Sequence, residues 1–437
     1  MNKVAIYTLG CKTNQLESSI IAQDFKNNGW EVVNFSSVAD VYVINTCTVT
    51  AKSDNESLYL ARKAKKTNPS GKVVLVGCYA QVSADEISKI NEVDLIVGNK
   101  EKINILKHLV NTDGINNPEQ KIIVTDIMKE DKFHTKPVEM ALGRTRANLK
   151  VQDGCNNRCS YCIIPYARGK SRSDSIENVL NQAKYLVDNG YKEIVLTGIH
   201  LGQWGLDFEP KLSLLDLLEE LEKVEGLKRL RLGSFDPLEI NDELIDFISK
   251  SEKICEHLHI SLQNTNNATL KLMNRKYSFE YVYELLNKLV FKVNNLSMGA
   301  DFIVGFPEES EERFEDSYNN LQKLPLSYVH VFPYSQRKNT PAATMHNQVS
   351  DDVKKLRAER IKKLAKQKNI EFKHSLKDTV QEVLVEKSRD KRTGFLKGHT
   401  KNYVSVQIDG NDEYRNQIVK VKITDITESG VNAVIIE

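Results

Sequence analysis

Apolar residues in the first hundred positions fall in four short runs, 4–9, 41–45, 73–76 and 93–97, with helix-like sequence at 17–28 and 53–66. Short β-branched runs without alternation predict parallel strands buried on both faces, so the N-terminal third reads as an open parallel α/β sheet. From about 146 a strand–helix pattern repeats six times. The predicted strands are 148–152, 193–197, 229–232, 258–262, 299–304 and 328–332, and the helices between them are 175–189, 212–224, 239–249, 281–290 and 309–322. Asp174 or Ser175 is placed to cap the first of these helices and Gly190 to stop it. Six such units predict a parallel sheet curled into a central partial (β/α)6 barrel. After about 378, five short β runs punctuated by Gly398, Gly410 and Gly430 predict a small OB-like β-barrel. Residues 101–145 are mostly polar, with one strand candidate at 122–124, and read as a linker. The expected division is 1–130, 141–372 and 373–437.

A chain of 437 residues is long enough for three such units, each with its own core. Lys+Arg 61 against Asp+Glu 59 leaves a small net charge, so a nucleic-acid partner must be met by local patches. One candidate is 351–377, a helix-forming stretch with ten Lys/Arg and four Asp/Glu: either a solvated face or one that contacts phosphates. Another is the last module, where Phe395, Lys397, Lys401 and Tyr403 mix charge with stacking surface, unless that barrel is purely structural. The N-terminus is no signal peptide and no apolar run approaches a membrane span. A soluble, cytoplasmic protein with reduced thiols is expected.

Cysteine placement changes the picture most. Cys155, Cys159 and Cys162 lie within eight residues. Seven cysteines, an odd and sparse number, argue against a disulfide framework, and no histidine nearby completes a zinc set. Three thiols in one compact loop suit three irons of a cubane iron–sulfur cluster, leaving the fourth iron open to a small chelating ligand. Arg158, Arg168, Lys170 and Arg172 are placed to offset its charge. Cys11, Cys47 and Cys78 each follow a predicted strand. Taken singly, each reads as a buried structural cysteine; together, at the carboxyl edge of one sheet, they read as a second cluster site. Cys255 belongs to neither set and reads as structural. His257 and His259 share one strand face and read as barrel-filling or solvated residues, with a ligand role as the alternative. Asp301 suits a proton acceptor or a structural carboxylate equally.

The Cys155–Cys162 motif, with Tyr161 before its last cysteine, resembles the signature of the radical S-adenosylmethionine enzymes. The segments around Cys11, Cys47 and Cys78 resemble the cysteine motifs of the methylthiotransferases within that group, and the block around Tyr403 resembles the RNA-binding TRAM domain. The resemblance implies two 4Fe-4S clusters, one on Cys155, Cys159 and Cys162 and an auxiliary one on Cys11, Cys47 and Cys78. It implies S-adenosylmethionine as both radical source and methyl donor, with Tyr161 packed beside it and a backbone contact at Thr197 and Gly198. Ser234 and Gln263, at later strand ends, face the cofactor in the same barrel. The implied reaction is radical methylthiolation of tRNA, with a one-electron donor such as flavodoxin or ferredoxin and the sulfur source left open. Leu9-Gly-Cys-Lys-Thr-Asn-Gln15 is most similar to the branch acting at C2 of N6-threonylcarbamoyladenosine beside the anticodon. Isopentenyladenosine or a ribosomal-protein side chain is the alternative, and a non-catalytic iron–sulfur RNA-binding protein the alternative of another class. Ser261 and Asn264-Thr265 depart from the family's usual Pro and Ser-Gly.

Overall fold

The computed structural model describes residues 1–110, 121–136, 144–427 and 430–436. The N-terminal sheet has six parallel strands, in the order Glu31–Val33, Lys3–Thr8, Val41–Thr46, Lys72–Gly77, Leu95–Val97 and Lys121–Ile123. The four predicted strands form its centre. Glu31–Val33, too short to show a period, had no predicted counterpart, and Lys121–Ile123, overlapping the strand candidate at 122–124, completes the sheet from a segment otherwise expected to be linker. Of that linker, 111–120 and 137–143 lie outside the described residues, as does the expected boundary at 141. Helix Lys12–Asn27 covers one face through Ile21 and Phe25, and helix Ala51–Thr67 covers the other through Leu60, Ala61 and Ala64. Strand order reverses between Lys3–Thr8 and Val41–Thr46. A crevice at the carboxyl ends of an open α/β sheet opens at such a reversal, and Cys11 and Cys47 stand there.

The six strands of the central unit form where predicted, with the third split in two. Arg229–Arg231 pairs with Glu193–Thr197, itself paired with Ala147–Lys150. Ser234–Phe235 instead pairs with His257–Gln263, followed by Ser297–Val304 and Tyr328–Pro333. Every pairing is parallel, and among the described residues none joins the first strand to the last, so the barrel is partial. Helix Lys12–Asn27 packs beside its first strand and helix Asp351–Ser375 beside its last. Alternate side chains such as Leu149, Leu196, Leu230, Ile260 and Phe302 point outward into the main core. Their neighbours line a polar lumen, where Tyr328 Oη bonds His257 (2.7 Å) and His259 (3.2 Å).

The basic helix Asp351–Ser375 buries Ala358, Ile361, Leu364 and Ala365 against that core. Arg357 donates to Glu309 (2.8 Å), and Arg360 pairs with Glu315, so two cations expected on a solvated face instead hold the helix to the barrel.

The C-terminal unit is a closed five-stranded barrel, Val380–Val385, Leu396–Thr400, Ser405–Ile408, Gly430–Ile435 and Ile418–Thr427 in spatial order, filled by Val383, Leu396, Val406, Ile408, Val421 and Val431. Arg229 and Arg231, buried at the base of the partial barrel, dock it by donating to the carbonyls of His399 (3.1 Å) and Lys401 (2.8 Å). Tyr403 therefore does not present an open stacking surface. Its backbone is left-handed (φ 67°) and its ring lies 4.7 Å from the Arg231 guanidinium and 4.8 Å from the His257 ring. Lys401 likewise donates inward, to the Glu252 carbonyl (2.8 Å), and Lys397 faces Glu386 (3.4 Å); of the four expected RNA-facing residues, Phe395 is the one left exposed. No helix among the described residues is long and apolar enough to cross a membrane.

Candidate active site

The loop that carries Cys155, Cys159 and Cys162 leaves the first barrel strand and returns as a short antiparallel pair, Gln152–Asp153 with Arg172–Ser173. Gly154 starts it with φ 76°, and a Cβ there would lie 1.8 Å from the Lys170 carbonyl oxygen. Cys155 N–H donates to Gly169 O (3.1 Å) and Cys162 N–H to Cys159 O (3.0 Å), drawing the thiols together. Burial, then the neighbouring Cys159, raises the Cys162 pKa to about 12. Crowded, buried thiols resist ionising one another, and a bound cation relieves that cost. All three are free thiols.

Two cationic side chains touch these sulfurs, and neither is among the four basic residues expected from sequence. His200 Nδ1 bonds Cys155 Sγ (3.5 Å) while its Nε2 meets Glu239 (2.6 Å). Burial opposes protonation of His200, but these two partners outweigh it and raise its pKa to about 10. Arg275 donates to Cys159 Sγ (3.4 Å), to Asp236 (2.8 Å) and to the Ser261 carbonyl (2.9 Å). Arg158 and Lys170 instead point to solvent, and Arg168 and Arg172 turn away into buried contacts. Gln152 ties the loop to the next strand end: its amide donates to Gly154 O and Ser171 Oγ (both 2.8 Å) and accepts from Ile199 and His200 N–H. Cationic donors on thiolate ligands offset the charge of a thiolate-bound cluster, so this donor set fits a [4Fe-4S] group. A Gly154→Ala variant is expected to lose the loop's geometry at a cost above about 1–3 kcal/mol; iron content of the purified protein, read with its melting temperature, checks it.

The N-terminal cysteines are locked together by their own motif residues. Cys11 sits three positions beyond the first strand, as N-cap of helix Lys12–Asn27, whereas Cys47 and Cys78 directly follow theirs. Gly10 (φ 90°) leaves room for Cys47, whose Sγ would lie 2.9 Å from a Cβ at that position. Asn14 donates to Leu9 O (2.8 Å) and Thr46 O (3.0 Å), joining the first motif to the second. Thr46 Oγ1 donates to Val76 O (2.7 Å) and accepts from Tyr79 N–H (3.1 Å), joining the second to the third. Burial, then Cys78, pushes the Cys47 pKa up to about 11. Asn99, which sequence did not mark, reaches Cys78 Sγ (3.6 Å) and Ala167 O (2.7 Å) in the helix just after Cys162.

Between the two sets lies a buried charge network. Arg168 donates to Asp153 (2.9 Å), Glu17 (3.1 Å) and Asn14 Oδ1 (2.6 Å); Lys150 pairs with Asp153 (2.8 Å) and Glu17 (3.1 Å); Lys102 also pairs with Glu17. Burial raises the carboxyl pKa values, but Arg168, Lys102 and Lys150 overcome it at Glu17, and Lys150 and Arg168 do so at Asp153. On the far rim, Arg337 donates to Thr48 (2.8 Å) and pairs with Asp54, and Ser335 Oγ accepts from Ala51 N–H (3.0 Å). These contacts frame one cavity. Val49 and Thr50, beside Cys47, form one wall, and Tyr161, Cys162, Gln263, Asp301 and Phe332 form the other.

The remaining expected residues fall as follows. Tyr161 packs edge-on against Phe306 (6.4 Å) at the cavity, and Gln263 reaches it from a strand end with φ 63°, the kind of strained conformation that clusters at ligand sites. Thr197 is buried, and Gly198 offers only backbone above Gln152; Ser234 is exposed at its strand end. Asp301 meets His259 (3.0 Å) and His330 (3.5 Å); burial works against its ionisation, but these histidines hold its pKa at about 2. His257 is buried in the lumen, and His259, half-buried beside it, stands with Asp301 and His330 in a group whose ligand atoms lie within 4.8 Å of one another. The Asn264-Thr265 departure is structural: Asn264 accepts from Ser317 Oγ (2.7 Å) and Thr265 donates to Ser317 O (2.7 Å). Cys255 is fully buried beneath Arg231.

Comparison with known proteins agrees with this geometry. Residues 3–98 match "Uncharacterized protein family UPF0004" and residues 149–321 match the Radical SAM superfamily. Threonylcarbamoyladenosine tRNA methylthiotransferase MtaB of Bacillus subtilis is 44% identical over 97% of this chain and 94% of its own length. The protein of the same name from Aquifex aeolicus is 41% identical over 96% and 100%, and the tRNA-2-methylthio-N(6)-dimethylallyladenosine synthase of that organism is 34% identical over 96% of each. Among solved structures, the radical S-adenosylmethionine methyltransferase TsrM from Kitasatospora setae shares the fold, with a TM-score of 0.55 at 14% identity over 78% of this chain and 77% of that one. With relatives this similar along nearly its whole length, the chain belongs to the radical S-adenosylmethionine methylthiotransferase family.

Proposed function

We propose that the protein adds a methylthio group to C2 of N6-threonylcarbamoyladenosine beside the anticodon of tRNA. The observation that carries this reading is a cavity lined by Cys162 of one cysteine triplet and by Val49 and Thr50, which follow Cys47 of the other. Cys155, Cys159 and Cys162 would hold one [4Fe-4S] cluster, and Cys11, Cys47 and Cys78 would hold the auxiliary one. When bound, the clusters and S-adenosylmethionine supply one-electron cleavage and the sulfur that acid–base chemistry cannot place on an unactivated carbon.

The chain's own residues position and shield that chemistry. His200 and Arg275 hold the charge of the ligand sulfurs, and Gln152 fixes the loop against the second strand end. Tyr161, Thr197, Gly198, Ser234 and Gln263 are the residues assigned to S-adenosylmethionine. Phe306, Met273, Ala342 and Tyr334 pack an apolar cluster behind Tyr161 and exclude water from that side. We assign 1–130 to the auxiliary-cluster domain, 141–372 to the radical domain and 373–437 to a TRAM domain that contacts tRNA, with flavodoxin or ferredoxin as electron donor in the cytoplasm.

Mass spectrometry of tRNA nucleosides from a strain lacking the gene checks the substrate. N6-threonylcarbamoyladenosine is expected to accumulate without its 2-methylthio form, and persistence of that form refutes the assignment.

A further inference from the structure

A second cavity, of about 420 Å³, lies where the N-terminal sheet, the partial barrel and the closed barrel meet. That volume falls in the usual range for ligand pockets. Its lining carries five cations, Lys12, Arg144, Arg146, Arg231 and Lys387, against one carboxylate, Glu386. Some of that charge is already answered. Arg231 pairs with Glu193 (2.7 Å), whereas Arg144 donates to the neutral Gln15 amide oxygen (2.5 Å). Glu386 is shared by Lys397 (3.4 Å) and His399 (3.3 Å), leaving Arg146 a distant 3.7 Å.

Among the described residues Lys12, Arg144 and Lys387 meet no carboxylate, and Arg146 has only the 3.7 Å contact with Glu386. Lys12 makes no ion pair among the described residues; its ammonium lies 5.9 Å from the centre of the Tyr403 ring. The Arg146 guanidinium lies 5.3 Å from the same ring, and its buried Nη1 has no hydrogen-bond acceptor among the described residues. Lys12 also opens a helix of 16 residues that has no acidic residue in its first turn, so the helix end adds to the positive potential. Lys12, Arg146 and Arg231 gather around one aromatic ring in a cavity whose cations outnumber its carboxylate, and such an excess of positive charge is stabilised by an incoming anion.

Position says which anion. Asn148, Val195 and Arg231 occupy one register layer across three adjacent strands, so the floor of the cavity is the barrel lumen. From this floor Tyr403, His257, Tyr328, His259 and Asp301 run in successive contact to the cavity that Cys162 lines. Lys12 directly follows Cys11. On the proposed substrate, C2 and the N6 substituent flank the same ring nitrogen, N1. A cation that holds the substituent therefore lies on the side of the ring where C2 must meet sulfur.

We propose that this cavity binds the carboxylate of the N6-threonylcarbamoyl group between Lys12 and Arg146 and thereby selects that substituent over an apolar one. The inference rests on the substrate proposed above. An apolar dimethylallyl group in the same place would desolvate Lys12 and Arg146 without supplying an anion, which is the situation that gives strong discrimination.

A phosphate of the RNA backbone offers the same anionic chemistry, so the test must separate the two. Holoenzyme is titrated into labelled anticodon stem-loops that carry either N6-threonylcarbamoyladenosine or plain adenosine, read by fluorescence anisotropy. Lys12→Met and Arg146→Met are each expected to weaken binding of the modified RNA by about tenfold to a hundredfold, as loss of a charge-assisted hydrogen bond does. Binding of the plain RNA is expected to move by less than about twofold. Lys12→Arg, which keeps the charge, is expected to recover most of the loss, and unchanged melting temperatures show that the variants fold. Equal losses on both RNAs would put a backbone phosphate in the cavity and overturn the inference while the nucleoside result stands. A wild-type protein that binds both RNAs alike overturns the inference whatever the variants do.

Discussion

Cys159→Ala and Cys47→Ala are expected to fail in different ways. Each removes one ligand from a set of three, so each variant is expected to fall from about eight to about four iron atoms per chain after reconstitution. Cys159→Ala, in the loop that Arg275 and His200 brace, loses formation of 5′-deoxyadenosine to background and with it every later step. Cys47→Ala retains cleavage of S-adenosylmethionine but yields no methylthiolated RNA, because the radical half of the site is built from other residues. Iron analysis, Mössbauer spectra and chromatography of the reaction products check both. If Cys47→Ala still carries a full complement of iron, the N-terminal triplet is not a cluster site.

The second large effect concerns stability. Arg168 is buried and holds Glu17, Asp153 and Asn14 at once, so Arg168→Met leaves Glu17 and Asp153 with fewer partners in a site closed to water. Breaking a buried ion pair from one side typically costs about 3–5 kcal/mol, and that is the expected loss by denaturant unfolding. The pH dependence follows from the same groups. Both carboxyl groups have folded pKa values below their unfolded ones, so their contribution is fully present above the ordinary carboxylate range. It is lost as pH falls below that range toward the depressed values. Arg168→Met is therefore expected to flatten the acid limb of the stability profile as well as lower its plateau.

The strands and cysteines were legible because each is a local signal. A β-branched run ending in Gly-Cys or Thr-Cys names both the strand and the position of its thiol, and two triplets of thiols in a chain with seven cysteines leave little else to read. Residues that brace the thiols were not legible. Gln152, His200, Arg275 and Asn99 reach the site from four separate segments, and each is, in sequence, one polar loop or strand residue among many. Proximity in sequence also misled: Arg158 and Lys170 flank the cysteines along the chain yet point to solvent, while Arg275, over a hundred residues away, touches Cys159. Tyr403 shows the same limit from the other side. An aromatic among lysines reads as an RNA-stacking residue, but buried Arg231 needs carbonyl partners, and meeting that need turns the ring into the junction.

The gap between the first and last barrel strands has a consequence for solubility. An unclosed sheet has two edges of unpaired backbone groups, which are templates for pairing with another chain. Here each edge strand lies beside a helix from elsewhere, Lys12–Asn27 at Ala147–Lys150 and Asp351–Ser375 at Tyr328–Pro333, and the appended module is a closed barrel with no edge of its own to offer. The lumen can thus remain open along one side while those helices hinder strand-to-strand association between copies.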